Sequence, residues 1–185
     1  GKSEAFDLKT ITIMATKIGI VNHKGGVAKT TPSYHLGWML TNLVYTLLFV
    51  DSDSQCNWST LFLGNDEFED HYINNPLDNL KNSLAPAFES KPQLLQPSNC
   101  VVHKKNEKLL LLPGNPEITE YETQRGIAIN FNQSFTVAKN LPGSFNYLIN
   151  ITSEKYKADF VIIDMNPSLS SINQVLLMST DYFIL

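Results

Sequence analysis

Cysteine is nearly missing from this chain: Cys56 and Cys100 are its only two thiols in 185 residues. Two thiols cannot build a disulfide framework, and no secretory signal is visible. Neither lies in a CxxC or His-rich neighbourhood. They read as buried or idle thiols in a reducing, cytoplasmic setting rather than as metal ligands. Charge is scarce as well, 17% against 43% hydrophobic residues, which excludes a disordered chain. Excess basic charge is lacking: the formal net charge is −4. The domain as a whole is therefore not a basic nucleic-acid glove, although a local basic patch stays open. No apolar run reaches the roughly 18 residues of a membrane-spanning helix. The most apolar stretch, LGWMLTNLVYTLLFV at 36–50, is interrupted by Thr41, Asn42 and Thr46. It reads as a helix end, a turn and a buried strand. Internal repeats and low-complexity segments are absent too.

What is present is an alternation of apolar strands and helices in a length that suits one ordinary domain. Residues 17–22, 46–50, 109–112 and 160–163 are short apolar or β-branched runs, and a further strand begins at Tyr182. Between them, Leu36, Met39, Leu40 and Leu43 recur at helical spacing. Pro32 fits that helix only in its first turn, which places the start near Lys29. Helices are also expected near 77–88, 118–126, 144–156 and 169–178, while 52–107 is otherwise poorly readable. This alternation predicts an α/β fold, a mostly parallel sheet with helices on both faces. In such sheets ligands sit beyond the carboxyl ends of the strands. Residues 1–13 are expected to be a leader or tag-like tail ahead of one domain at 14–185.

Three polar segments each follow a strand. The first is KGGVAKTT at 24–31. Gly25 and Gly26 let the backbone approach closely, and the following helix N-terminus attracts anions. Successive backbone N–H groups at 25–29 can curl round a phosphate, Lys29 can neutralise its charge, and Thr30 offers a hydroxyl suited to Mg²⁺. Thr31 adds another donor. The ordinary phosphate-loop pattern GxxxxGK[ST] fails twice here, at His23 and Ala28. A glycine turn capped by a lysine is the plain alternative. The second segment is VDSDSQCN at 50–57, with Asp51 and Asp53 just past a strand end. One carboxylate can approach a metal while the other reaches an attacking water; a solvated acidic turn is the alternative. The third is FVIIDMNPS at 160–168, an apolar strand ending in Asp164, the arrangement in which a carboxylate holds Mg²⁺ directly or through water.

Taken in order, KGGVAKTT, VDSDSQCN and VIIDMNPSL resemble the ParA/MinD group of ATPases, whose deviant Walker A motif reads KGGxGKTT. NHKGG, YHLGWML and LLPGN at 22–26, 34–40 and 111–115 are similar to the ParA branch. The resemblance runs from about Thr16 to Leu185. It implies that 14–185 is a P-loop ATPase domain of the P-loop NTPase fold, incomplete at its C-terminus, with ATP and Mg²⁺ as cofactors. Lys24 is then the signature lysine that reaches the phosphates across an ATP-sandwich dimer. Gly25, Gly26, Val27, Ala28 and Lys29 wrap the phosphates. Thr30 ligates Mg²⁺, Thr31 contacts the α-phosphate, and Asp53 orients the attacking water or its metal-bound neighbour. Asp51 and Asp164 support the metal, and Pro167 and Ser168 follow in the switch region.

The sequence departs from the family pattern at Ala28, Val44, Ser54 and Asn166. If position 28 needs a positive φ, alanine costs roughly 1–2 kcal/mol there. The resemblance implies that some ParA relatives accept a small residue at this point. Val44 stands where the family has glycine, and a β-branched residue is unfavourable there if φ is positive. The implied function is a dimerising Mg-ATPase of plasmid or chromosome partition. An ATP-dependent homodimer, a ParB-like partner and, for the longer form, nonspecific DNA are its partners, with no membrane. Its place is the cytoplasm, with nucleoid association if DNA is bound. The alternatives are a nucleotide-gated binding module without turnover and a MinD-like membrane-associated positioning ATPase.

Overall fold

The computed structural model describes residues 14–21, 30–88, 93–121, 135–165 and 179–184, with backbone alone for 135–142. Strand β1 (Thr16–Ile20) is followed by α1 (Thr30–Asn42), β2 (Leu47–Asp51), α2 (Asn57–Leu63), α3 (Asn65–Asn74) and α4 (Leu80–Phe88). A hairpin of β3 (Val101–His103) and β4 (Asn106–Leu112) comes next. A 3₁₀ turn (Pro116–Ile118), α5 (Phe135–Lys155), β5 (Phe160–Asp164) and β6 (Tyr182–Ile184) complete the described elements. They form a six-stranded sheet in the order β3-β4-β2-β5-β1-β6. All pairings are parallel except that of β3 with β4. This is the α/β architecture the alternation of strands and helices predicts.

The central strands are apolar on both faces because both faces are covered. Leu47, Leu48, Phe49 and Val50 are each no more than 1% exposed. On one face Leu48, Val50, Leu110, Val161 and Ile163 pack with Leu84 and Phe88 of α4 and Phe145 and Leu148 of α5. On the other, Leu47, Phe49, Leu109, Leu111 and Ile162 pack with Trp58 and Phe62 of α2 and with Tyr34 and Trp38 of α1. Tyr34 and Trp38 are only partly buried; each fully buried aliphatic or Phe side chain contributes roughly 1.5–3 kcal/mol. Lys17 is a polar exception on the α5 face. Its ammonium donates to Asn146 Oδ1 at 2.7 Å and Asn150 Oδ1 at 2.9 Å, pinning α5 to β1.

Several boundaries move for identifiable reasons. Helix α4 starts at Leu80 rather than 77, because Asn79 caps it: the Asn82 N–H donates to Asn79 Oδ1 at 3.0 Å. Helix α5 starts at Phe135 rather than 144 and runs through Pro142 and Gly143, residues that read locally as a break. The expected helix at 118–126 opens as the 3₁₀ turn and is helical over 119–121; its remainder lies outside the described residues, as does the expected helix at 169–178. Helix α1 begins at Thr30, with Pro32 in its first turn. Its buried stripe is Ser33, Gly37 and Thr41, whereas Met39 and Leu43 are each 63% exposed. Small residues face the sheet because the large rings of Phe49 and its neighbours already fill that space.

Candidate functional site

Strand register brings the acidic segments together. Asp164 at the end of β5 is the Cα partner of Asp51 on one side and of Ile20, the last residue of β1, on the other. Three adjacent parallel strands therefore end at one level. The segment at 22–29 leaves from the first of them and the Asp53 turn from another. Alternation along the strands sets Asp51 in line with Leu47 and Phe49, and Asp164 in line with Ile162. Both carboxylates thus share the face covered by α1 and α2.

Asp51, Asp53 and Asp164 are 0%, 4% and 1% exposed. The end of β2 is tied to the end of β5 by Ser52, whose N–H donates to the Asp164 carbonyl at 3.1 Å and whose hydroxyl donates to the same oxygen. Asp53 Oδ1 accepts the Gln55 N–H at 3.0 Å, and the Asp53 carbonyl accepts the Cys56 N–H, closing a tight turn into α2. Cys56 occupies the turn's left-handed position at φ 51° and offers α2 no side-chain cap. Asp51 supplies that cap from the strand: its Oδ2 accepts the Ser59 N–H at 2.8 Å and the Ser59 hydroxyl at 2.7 Å. Burial pushes the Asp51 carboxyl up to about 6, opposed by the Ser59 hydrogen bonds and reinforced by the charge of Asp53.

A loop after β4 walls this cluster. The Gly114 N–H donates to Ser59 Oγ at 2.9 Å, and its carbonyl accepts the Tyr72 hydroxyl of α3. A Cβ at Gly114 would stand 3.1 Å from Asp51 Cγ and 3.0 Å from Cys56 Sγ. Any side chain there would have to push these neighbours aside by a few tenths of an ångström, which gives LLPGN a physical reason. Ser59 and Tyr72 escaped the sequence reading. Ser59, a small hydroxyl beside Trp58 two residues past DSDSQCN, was the available signal; Tyr72 gave none.

Of the other expected site residues, Thr30 and Thr31 open α1, half-buried and exposed respectively. Lys24, Gly25, Gly26, Val27, Ala28 and Lys29 lie outside the described residues, as do Asn166, Pro167 and Ser168. Among the described residues no group of three or more His, Cys, Asp or Glu side chains has the geometry to hold a metal. No helix among them is long and apolar enough to cross a membrane. A cavity of about 770 Å³ lies at the opposite, amino-terminal end of the strands, between Met14, Tyr45, Asp159 and Phe160, and takes no part in this site.

The profile of the AAA_31 family, described as an AAA domain, matches residues 15–185. An uncharacterized protein of Methanocaldococcus jannaschii, MJECL24, is 32% identical over 170 residues, 91% of this chain and 57% of its own length. The chain thus spans little more than half of that relative. A plasmid partition protein from Borrelia burgdorferi superposes with a TM-score of 0.66 at 23% identity, over 92% of this chain and 64% of that one. Cobyrinic acid a,c-diamide synthase from Mycobacterium smegmatis, with bound ADP and magnesium, does so with a TM-score of 0.63 at 24% identity, over 92% and 58%. The chain belongs to the AAA_31 family of AAA domains, and its fold is that of the ParA/MinD-type ATPases which its motifs resemble.

Proposed function

We propose that this chain is the nucleotide-binding core of a ParA-type ATPase that uses Mg-ATP, dimerises around it and acts in plasmid or chromosome partition. One observation carries the reading: Ile20, Asp164 and Asp51 end three neighbouring strands in register. The strand that precedes the KGGVAKTT segment, the Asp53 turn and the Asp164 carboxylate therefore come to one level of the sheet. Lys24 and residues 25–29 would hold the phosphates, with Lys29 countering their charge and Thr31 adding a donor. Thr30, Asp53 and Asp164 supply oxygens of the hard type that Mg²⁺ prefers. Such an ion keeps several waters and shares the substrate's phosphates. When bound, magnesium would neutralise charge on the transferred phosphoryl group; this chain's part is positioning, with Asp53 orienting the attacking water. An ATP-dependent homodimer, a ParB-like protein and nonspecific DNA are the partners this reading carries, in the cytoplasm and at the nucleoid.

Calorimetric titration of Mg-ATP into the chain, with Lys29→Ala beside it, tests this. Saturable heat that vanishes in the variant supports the proposal. A folded chain that binds nothing, and still binds nothing as Ala28→Gly, overturns it. Turnover is read separately, in an ATPase assay with a ParB-like protein and DNA. Binding without turnover would favour a nucleotide-gated module, the reading that Ala28 motivates.

A further inference from the structure

We infer that Asp51 is a positioning residue rather than a metal ligand: its carboxylate latches the β2–α2 turn so that Asp53 is presented at the strand ends. This rests on the proposed ATPase reading. One carboxylate spans the whole turn. Oδ1 accepts the Asp53 N–H at 3.3 Å, and Oδ2 accepts both the Ser59 N–H and the Ser59 hydroxyl. Of about four acceptor sites on a carboxylate, three are occupied by the protein itself. Ser59 is engaged on both sides in turn, since its hydroxyl spends its one proton on Asp51 and accepts from the Gly114 N–H. Gly114 closes the remaining side, its α-carbon so near that even a methyl group would press on Asp51 Cγ. Tyr72 locks that glycine's carbonyl from α3. The chain Tyr72–Gly114–Ser59–Asp51 joins the β4 loop and two helices to the backbone that carries Asp53. A charged, fully buried acceptor is the group suited to this duty: it caps α2 where Cys56 cannot.

The test uses the whole chain as wild type, Asp51→Asn, Ser59→Ala, Ser59→Thr and the Asp51→Asn/Ser59→Ala double variant. Hydrolysis is followed against ATP and against Mg²⁺. Displacing a reacting group by about 1 Å can cost a hundredfold in rate. Asp51→Asn and Ser59→Ala should therefore each lower kcat by about tenfold or more, with the ATP KM and the half-saturating Mg²⁺ within about twofold of wild type. Ser59→Thr, which keeps the hydroxyl, should restore kcat. A tenfold rise in the Mg²⁺ requirement of Asp51→Asn would make Asp51 a ligand and overturn the inference. So would unchanged kcat in Ser59→Ala. Urea unfolding supplies a readout independent of nucleotide. The two substitutions should be non-additive by about tenfold in the unfolding constant, and additivity would sink the latch. If wild type neither binds nor hydrolyses Mg-ATP, the ATPase reading fails and the unfolding cycle alone decides the latch. If it binds without turnover, the Mg²⁺ dependence of binding and the cycle decide together.

Discussion

Gly37 of α1 lies directly on the ring of Phe49 in β2: a Cβ at position 37 would stand 2.4 Å from Phe49 Cζ and 3.2 Å from Leu47 Cδ2. The ring cannot move aside. It stacks on Tyr34 at 5.8 Å and meets Trp58 edge-on at 4.3 Å between centroids. Gly37→Ala should therefore destabilise the fold by about 1–3 kcal/mol, the cost of overpacking a filled core. Urea unfolding measures this directly, and a variant as stable as wild type would show that α1 can lift off the sheet. Because α1 starts at Thr30, any lift there also moves the end of the helix that follows the KGGVAKTT segment.

Val44 ends the same helix in a conformation that disfavours it. Its φ is 73°, its N–H donates to the Thr41 carbonyl at 3.1 Å, and the Tyr45 N–H reaches back to Leu40 at 3.3 Å. That is a Schellman motif with a β-branched residue at the position where glycine is usual. The side chain is 74% exposed, so little packing offsets the strain. Left-handed strain of roughly 1–2 kcal/mol exceeds the roughly 0.4–1 kcal/mol that glycine's freedom in the unfolded chain costs. Val44→Gly should raise stability by about 1 kcal/mol, and a lower unfolding midpoint in the variant would contradict this.

Val44 stood out because the family resemblance sets a glycine there. Strands β1, β2, β5 and the apolar half of β4 were legible because their buried runs admit few other readings. Asp51, Asp53 and Asp164 could be found because each follows such a run. The stretch at 52–107 was opaque for physical reasons. Helix α3 has no buried residue and so no apolar stripe to detect. Helix α2 spans seven residues, under two turns, and β3 spans three, none of them buried. The hydrogen bonds from Ser59 and Gly114 to the Asp51 cluster join residues of different elements, and no local pattern encodes them. The α1 stripe was misplaced because large apolar residues mark a buried face only where there is room for them.

His103 meets Trp38 and Phe62 edge-on, with centroids 5.1 Å and 5.0 Å apart. Burial, reinforced by Lys105, holds its imidazole below the usual value of 6.5. Between the lowered value and 6.5 the unfolded chain binds more protons than the folded one, so stability rises with pH across that interval. The contribution is complete above pH 6.5 and is lost as the pH falls through the folded value. NMR titration of the His103 ring should give a midpoint below 6.5, and His103→Phe should flatten the dependence of stability on pH just below that point. A midpoint above 6.5 would mean that the rings stabilise the charged form instead.

The two thiols should be inert in the native chain. Burial pushes Cys56 up to about 12, with the charges of Asp51 and Asp53 adding to the effect. Burial also pushes Cys100 up to about 12, against the opposing charge of Lys155. Only the thiolate attacks a disulfide reagent, and at pH 8 such a thiol is ionised to about one part in ten thousand. Ellman's reagent should therefore label neither residue at a free-thiol rate until urea is added, when both should react. Above the ordinary value of 9.0 the unfolded chain gives up these protons first, so stability should fall as the pH rises further. Fast native labelling confined to Cys56 would show that the turn carrying Asp53 opens to solvent, because that sulfur sits beneath it against Gly114.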